Sequence, residues 1–400
     1  MKNDSLNLIN TSILFMNIGF DAKRAFQNNT GLGQYSRTLI HSLATHFSEN
    51  EYYLFAPKLT KLFDTTSLKN VHLVNPSGFP STLFKSAWRS NWMKSDLKKN
   101  NIHIYHGLSH EIPFGIGKTG TKSVVTIHDL IHERYPDQYK WLDVKIYHKK
   151  FLYACKHADA VIAISEQTKK DIIEIYGIPE EKINVCYQSC NPAFAEQISE
   201  SYKQKVKELY ALPDEFFLYV GTIRERKNLI GVCKALQLMK NGSSIPLVVI
   251  GDGTLYKKKA KEYIRQNGLT DQVILLSENN KLKSLPSFYK GTDFPAIFQQ
   301  AVCLVLPSLY EGFGIPVLEA MNSRLPVITS NVSSLPEAGG NAAYYIDPNN
   351  VEQLAEAMLR VRQDSLLRKT MIEKGIQQAQ KFLPQKSAES VFNVYRKLMG

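Results

Sequence analysis

Short apolar runs alternate with amphipathic stretches along nearly the whole chain, and at Phe216 the alternation starts again. Repeated short runs separated by helical segments are the pattern of βα units that build a parallel sheet. In the first half the expected strands are Ile13–Phe20, Tyr52–Phe55, Val71–Leu73, Ile102–Tyr105, Ser123–Ile127, Ala160–Ala163 and Ile183–Val185. Helices are expected between several of them, at Tyr35–Phe47 and at Glu166–Tyr176, the latter capped by Ser165. The second series offers strands at Phe217–Gly221, Pro246–Ile250, Val273–Leu276, Cys303–Leu306, Pro326–Thr329 and Ala343–Ile346. Helices are expected there at Leu229–Met239, Tyr256–Asn267 and Val351–Arg362.

Four hundred residues exceed what one core usually organises. The chain therefore reads as α/β, with two Rossmann-like, doubly wound parallel-sheet domains over residues 1–195 and 210–384. Pro192, Pro213 and charged residues in the stretch Asn191–Glu215 suit the connection between them. The residues before the first strand read as a loose extension. The tail, Gln385–Leu398, reads as a last helix (within 385–400) that packs back on the first domain.

Composition narrows the class of partner. A net charge of +12 favours anionic ligands or surfaces, while the 44% hydrophobic and 22% charged residues are ordinary for a globular protein. The five cysteines are odd in number and widely spread, which suits reduced thiols in a cytoplasmic compartment. Cys186 and Cys190 lack a second nearby pair to complete a zinc site. No stretch approaches the roughly 20 apolar residues of a membrane span, and Met1–Phe20 lacks a signal-peptide pattern.

The most informative segment runs from Leu304 to Met321: a buried strand, a loop holding Glu311-Gly312-Phe313-Gly314, and a helix opening at Ile315-Pro316. Proline suits a first helical turn because its missing N–H has no partner there. The free amides of such a turn attract anions. Glu311 before the helix and Glu319 one turn inside it can grip hydroxyls, so the segment suits a polyhydroxy ligand that carries phosphate. A second basic segment, Gly221-Thr222-Ile-Arg224-Glu-Arg226-Lys227, follows the first strand of the second half, where phosphate sites of doubly wound sheets lie. A third segment, Asn28 to Arg37, carries Gly31 and Gly33 in a strand-to-helix turn; Ser36 stands where a dinucleotide fingerprint needs a third glycine. In a fourth, Val124-Val-Thr-Ile-His128-Asp129, a buried strand ends in a histidine aimed at the ligand crevice. His106-Gly107 is a further candidate at such a strand end.

The Glu311, seven residues, Glu319 signature resembles that of retaining glycosyltransferases, in particular glycosyltransferase family 4. The likeness covers nearly the whole chain, weakly over residues 45–100 and closely from about 120 to 350. It implies a GT-B fold, two domains facing a cleft, and transfer of a hexose (mannose first) from a nucleotide-diphosphate sugar to a glycan or lipid-linked acceptor in polysaccharide biosynthesis. By the same resemblance Lys227, with Arg226 or Arg224, contacts the donor diphosphate; Thr222 stands where some members carry an arginine after the glycine. Glu311 and the Phe313–Ile315 backbone hold the sugar, Glu319 the ribose, and His128 faces the sugar from the first domain. Gly31, Gly33, Gly312 and Gly314 let backbone approach the donor.

No Asp-x-Asp triplet occurs, so neither a metal nor another cofactor is expected. Residues 281–292 look like extra sequence, in which Leu285-Pro-Ser-Phe-Tyr echoes Phe294-Pro-Ala-Ile-Phe. The basic, aromatic stretches Phe84–Lys99 and Trp141–Lys156 suit either peripheral contact with the inner face of a membrane or ordinary surface helices with core-facing aromatics. A non-catalytic nucleotide-sugar-binding protein and a nicotinamide oxidoreductase are the competing readings. No nucleic-acid-binding module accompanies the charge, so nucleic acid is not an expected partner.

Overall fold

The computed structural model describes residues 15–77, 82–239 and 245–400. The first half builds a seven-stranded sheet from β1 (Asn17–Asp21), β2 (Glu51–Phe55), β3 (Val71–Val74), β4 (Ile104–Gly107), β5 (Lys122–Ile127), β6 (Ala160–Ala163) and β7 (Ile183–Val185). Their order is β3-β2-β1-β4-β5-β6-β7, and every pairing is parallel. The second half repeats the plan with β8 (Phe217–Val220), β9 (Leu247–Ile250), β10 (Val273–Leu275), β11 (Cys303–Leu306), β12 (Val327–Ser330) and β13 (Tyr344–Ile346). Here the order is β10-β9-β8-β11-β12-β13, again parallel.

Helices cover both faces of each sheet, so β4, β6, β9, β11 and β12 have every residue buried, and β6, β9 and β11 are wholly apolar. Edge strand β3 alternates less cleanly and leaves Leu73 exposed. Each sheet has one point where strand order reverses: between β1 and β4, and between β8 and β11. Connections leave such a pair of strands toward opposite faces, which opens a crevice at the strands' carboxyl ends.

Where the elements differ from expectation, local hydrogen bonds give the reason. The strand expected from Ile102 starts at Ile104, because the Ile102 amide closes the preceding helix on the Leu97 carbonyl at 3.0 Å. The helix expected from Tyr35 opens earlier, as Gly31–His46: the Asn28 side-chain oxygen accepts the Thr30 amide at 2.8 Å and the Gly33 amide at 3.2 Å. A side chain at Gly33 would place its Cβ 1.8 Å from the Asn28 carbonyl oxygen, so only glycine fits that turn. The first strand begins at Asn17, and the expected strand residues Ile13 and Leu14, with the extension before them, lie outside the described residues.

Two further segments depart from the sequence reading. The stretch Phe84–Lys99 is not one helix but a short helical turn Lys85–Ala87, a π-helical turn Trp88–Trp92 and a helix Met93–Lys99. The connection after Asn191 contains the helix Glu200–Tyr210, whose Val206 and Tyr210 pack in the same core as Leu218 and Leu304. Both Tyr202 and Tyr210 donate hydroxyl hydrogen bonds of 2.7 Å to the Asp293 carboxylate, so that core begins before the restart at Phe216.

The last helix, Pro384–Met399, crosses back to the first half. Phe392 stacks on Phe47 at 4.0 Å between ring centroids, and the Tyr395 hydroxyl bonds His106 Nδ1 at 2.6 Å. The chain's end thereby ties both halves together, and His106, fully buried, serves that tie.

Candidate active site

The loops leaving β8 and β11 meet at the second sheet's reversal point. Lys227 sits at the end of the first loop and Glu311 in the second, and the Lys227 ammonium donates to Glu311 Oε1. Arg226 reaches Glu311 Oε2 at 3.2 Å and the Tyr310 carbonyl at 2.8 Å, while Ser308 donates to Glu311 Oε1 at 2.7 Å. Lys227 and Glu311 are buried, at 7% and 6% exposure. Burial alone would raise the Glu311 carboxyl; the charges of Lys227 and Arg226 outweigh it and hold the group at about 2. Burial lowers the Lys227 ammonium, opposed by the pull of Glu311. The site therefore holds an ionised carboxylate at neutral pH, clasped by two cations.

This loop is fastened to the first half. Ser165 donates to the Gly312 carbonyl at 2.7 Å, and Tyr310 donates to Asp171. Glu337 accepts the Glu166 and Gln167 amides at 2.7 and 3.0 Å, at the N-terminus of the helix Glu166–Tyr176, which Ser165 caps as expected. Gly312 lies so close to the end of β5 that an added Cβ would stand 2.3 Å from the His128 carbonyl oxygen. Any larger residue at 312 would wedge the two halves apart.

His128 is at this seam but does not face open space as the sequence suggests. It is 4% exposed, its Nε2–H donates to the Leu108 carbonyl at 2.9 Å, and its Nδ1 accepts from the Gln188 amide at 2.7 Å. Burial lowers its pKa to about 4, so the ring is neutral. With both nitrogens committed, the imidazole stands behind Tyr35 (an edge-on contact of 4.7 Å) and Gln188, and those two side chains line the cleft.

The cleft between the halves encloses roughly 670 Å³ of space open to solvent. Gly31, Gln34, Tyr35 and Gln188 line it from the first half; Tyr289, Lys290, Ile315 and Glu319 line it from the second. No side chain lies within 4 Å of where a Cβ at Gly31 would stand, so Gly31 borders open space whereas Gly33 is a packing requirement. Glu319 has no side-chain hydrogen bond among the described residues, and burial raises its carboxyl to about 7.

The remaining sequence candidates separate into three groups. Gly314 takes the left-handed conformation (φ 110°) that caps the helix Ile315–Asn322, and Pro316 occupies its first turn. Phe313 is buried between the rings of Tyr187 and Phe382, so its side chain is a core residue. Thr222 and Arg224 are exposed, with the Arg224 guanidinium 5.5 Å above the Tyr139 ring of the first half. Arg226, not Arg224, is therefore the arginine of this loop bound to Glu311. Ser308, Tyr310 and Gln188 were not among the residues the sequence singles out. Ser308 was within reach of it, three residues before Glu311 at the end of β11; Gln188 carries no local signal.

A second cavity, lined by Asp21, Arg89, Tyr105, Glu111, Phe114 and Lys150, lies on the first half. Its charges are spent on one another: Arg89 bridges Asp21 and Glu111, and Lys150 pairs with Glu111 at 3.3 Å. The five cysteines are free and buried, and no group of three or more His, Cys, Asp or Glu among the described residues could hold a metal ion.

Two doubly wound parallel sheets, with a charged cluster at the reversal point of the second, are the build of a two-domain α/β enzyme. Residues 30–194 match the model of Glycosyltransferase Family 4, and residues 200–378 that of Glycosyl transferases group 1. The chain belongs to this family and is a glycosyltransferase of GT-B fold. It is 26% identical over 388 residues to O-antigen chain mannosyltransferase B of Escherichia coli, covering 92% of this chain and 96% of that one. It is 31% identical over 277 residues to O-antigen chain mannosyltransferase RfbU of Salmonella typhimurium, covering 66% and 69%. The solved structure of a glycosyltransferase from Rickettsia africae superposes with a TM-score of 0.72 at 17% identity, covering 96% and 99%. That of Anabaena HepE in complex with UDP and glucose gives 0.70 at 15% identity, covering 96% and 100%.

The raised Glu319 carboxyl yields a test. A carboxyl moved from 4.5 to about 7 in the folded state favours the fold fully below about pH 4.5, and this contribution is lost as pH rises through 7. Glu319→Gln should therefore be more stable than the parent at pH 8, by about 1–2 kcal/mol after allowance for solvent screening, and this gain should shrink toward pH 5.5. Urea unfolding at both pH values measures it; a gap that does not change with pH refutes the assignment.

Proposed function

We propose that the chain is a retaining hexosyltransferase that moves mannose, first among the hexoses, from a nucleotide-diphosphate sugar to a glycan or lipid-linked glycan acceptor in polysaccharide biosynthesis. The observation that carries this reading is the buried Lys227–Glu311–Arg226 cluster beside an open helix N-terminus. O-antigen mannosyltransferases among the relatives support the sugar and the pathway class. The complexes of HepE with UDP support a nucleotide donor, here with its nucleoside diphosphate on the second half.

In this reading Lys227 exchanges partners. In the free protein its ammonium is held by Glu311; with donor bound it turns to the diphosphate, and Glu311 is released to the sugar hydroxyls. As the bond from the anomeric carbon to the diphosphate oxygen breaks, Lys227, Arg226 and the Gly314 and Ile315 amides take up the negative charge that develops. Thr222 and Arg224, on the rim, contact the outgoing diphosphate. The acceptor hydroxyl, bound against the first half, attacks the oxocarbenium-like carbon from the same face and passes its proton to the leaving oxygen. Glu319 holds the ribose. His128 acts by fixing Gln188 against the sugar. No metal or other cofactor takes part, since side chains and amides neutralise the leaving group.

The acceptor side supports contact with a membrane. The large apolar residues divide: Trp88, Met93 and Phe151 face the core, whereas Trp92, Trp141, Leu142, Ile146 and Tyr147 are exposed among lysines. No helix among the described residues is long and apolar enough to cross a membrane. We place the protein in the cytoplasm, resting on the inner face of the membrane. It should float with vesicles containing anionic lipid and lose this on Trp141→Ala with Leu142→Ser; equal flotation of that variant argues against the contact.

Replacing Lys227 with Ala tests the chemistry. Turnover, measured as nucleoside diphosphate release from a panel of nucleotide sugars, should fall at least about 100-fold. Because Glu311 then keeps only Arg226 and Ser308 as partners, folding stability should also fall, by about 1–3 kcal/mol, with circular dichroism unchanged at 25 °C. Near-normal turnover would refute the mechanism.

A further inference from the structure

The extra sequence after β10 has a definite place in the fold. Asn279 caps a short helical turn, Asn280–Lys283, by accepting the Lys281 amide at 3.0 Å, and Leu282 anchors that turn in the second core at 2% exposure. Two similar turns follow, Pro286–Lys290 and Phe294–Phe298, each with proline at its start. The second is core: Pro295, Ala296, Ile297 and Phe298 are all buried. The first has no buried residue and rides on its twin, with Phe288 against Phe294 at 5.8 Å and Tyr210 at 6.1 Å.

The outer turn thus delivers two side chains to the cleft. Tyr289 is 63% exposed although aromatic, and Lys290 has no ion-pair partner among the described residues. The turn also reaches across the cleft, where Asn29 of the first half donates to the Tyr289 carbonyl. An exposed aromatic ring, an unpaired cation and the unpartnered Glu319 carboxyl border one cavity.

A nucleoside diphosphate is a linear ligand, and its parts can be laid along these residues in order. With diphosphate at Lys227 and the Gly314–Ile315 amides, the helix carries the ligand's path on to Glu319, roughly 6 Å further at ~1.5 Å rise per residue. A ribose at Glu319 leaves the base against the next surface of the cavity, which is Tyr289 to Phe294.

We propose that the outer turn is the nucleobase wall of the donor site: Tyr289 stacks on the base, and the Lys290 ammonium donates to a ring carbonyl oxygen, selecting guanine or uracil over adenine. This rests on the donor-cleft reading above. Stacking is tolerant of base identity because every base has a π-face, so selection falls to Lys290. An ammonium can donate to guanine O6 or uracil O4 but meets an amino group at the matching position of adenine.

Calorimetric titration of the full chain with GDP, UDP and ADP tests the proposal, alongside Tyr289→Ala, Lys290→Ala, Glu319→Gln and Lys227→Ala. Both wall residues are exposed, so their variants should keep the parent's circular dichroism. The parent should bind GDP or UDP at least tenfold more tightly than ADP. Tyr289→Ala should weaken that nucleotide about tenfold or more. Lys290→Ala should bring its Kd to that of ADP. Parent-like affinity and selectivity in both wall variants, with loss in Glu319→Gln and Lys227→Ala, overturns the wall and leaves the donor site standing. Parent-like binding in all four variants, or no binding of any of the three nucleotides by the parent, overturns both.

Discussion

A carboxylate withdrawn from water must be surrounded by charge and donors, and the second half of this protein is arranged around one such group. Glu311 gathers Lys227 and Arg226 from the loop after β8, and Ser308 from its own loop after β11. These loops come together only because β8 and β11 are neighbours while their connections part. Removing an ion from water costs several kcal/mol, so a buried pair is weak evidence for stability alone. A cluster kept next to the uncapped start of the helix Ile315–Asn322 fits the charge store that the proposed donor diphosphate would redirect.

The same loop also joins the two halves. Gly312 fits beneath the His128 carbonyl, Ser165 donates to the Gly312 carbonyl, and Glu337 closes onto the amides of the helix Glu166–Tyr176. The residues proposed to grip the donor's charge are thus on the loop that meets the first half. In the proposed mechanism, a donor that rearranges Lys227 and Glu311 would act on the loop that also carries these contacts between the halves.

Much of this was legible in the sequence because it rests on local chemistry. Glycine before a proline-led helix, acids flanking it, and a basic turn after a buried strand each announce themselves within a few residues. Strand positions were legible too, since strands buried on both faces are continuous apolar runs. What was hidden is long-range. Nothing near His128 says that Gln188 and Leu108 occupy both ring nitrogens, and nothing near Tyr289 says that Asn29 meets it across the cleft. The break in Phe84–Lys99 was equally hidden, because the sequence shows aromatics and lysines at helical spacing while the core takes Trp88, Met93 and Leu97 and leaves Trp92 exposed.

The central claim is that Lys227 leaves Glu311 for the diphosphate. A crystal structure of the chain with bound GDP or UDP tests it most directly. The account predicts a phosphate oxygen within hydrogen-bonding distance of Lys227 Nζ and a Glu311 carboxylate turned toward the space for the sugar. A nucleotide bound elsewhere, with the Lys227–Glu311 pair intact, would contradict it.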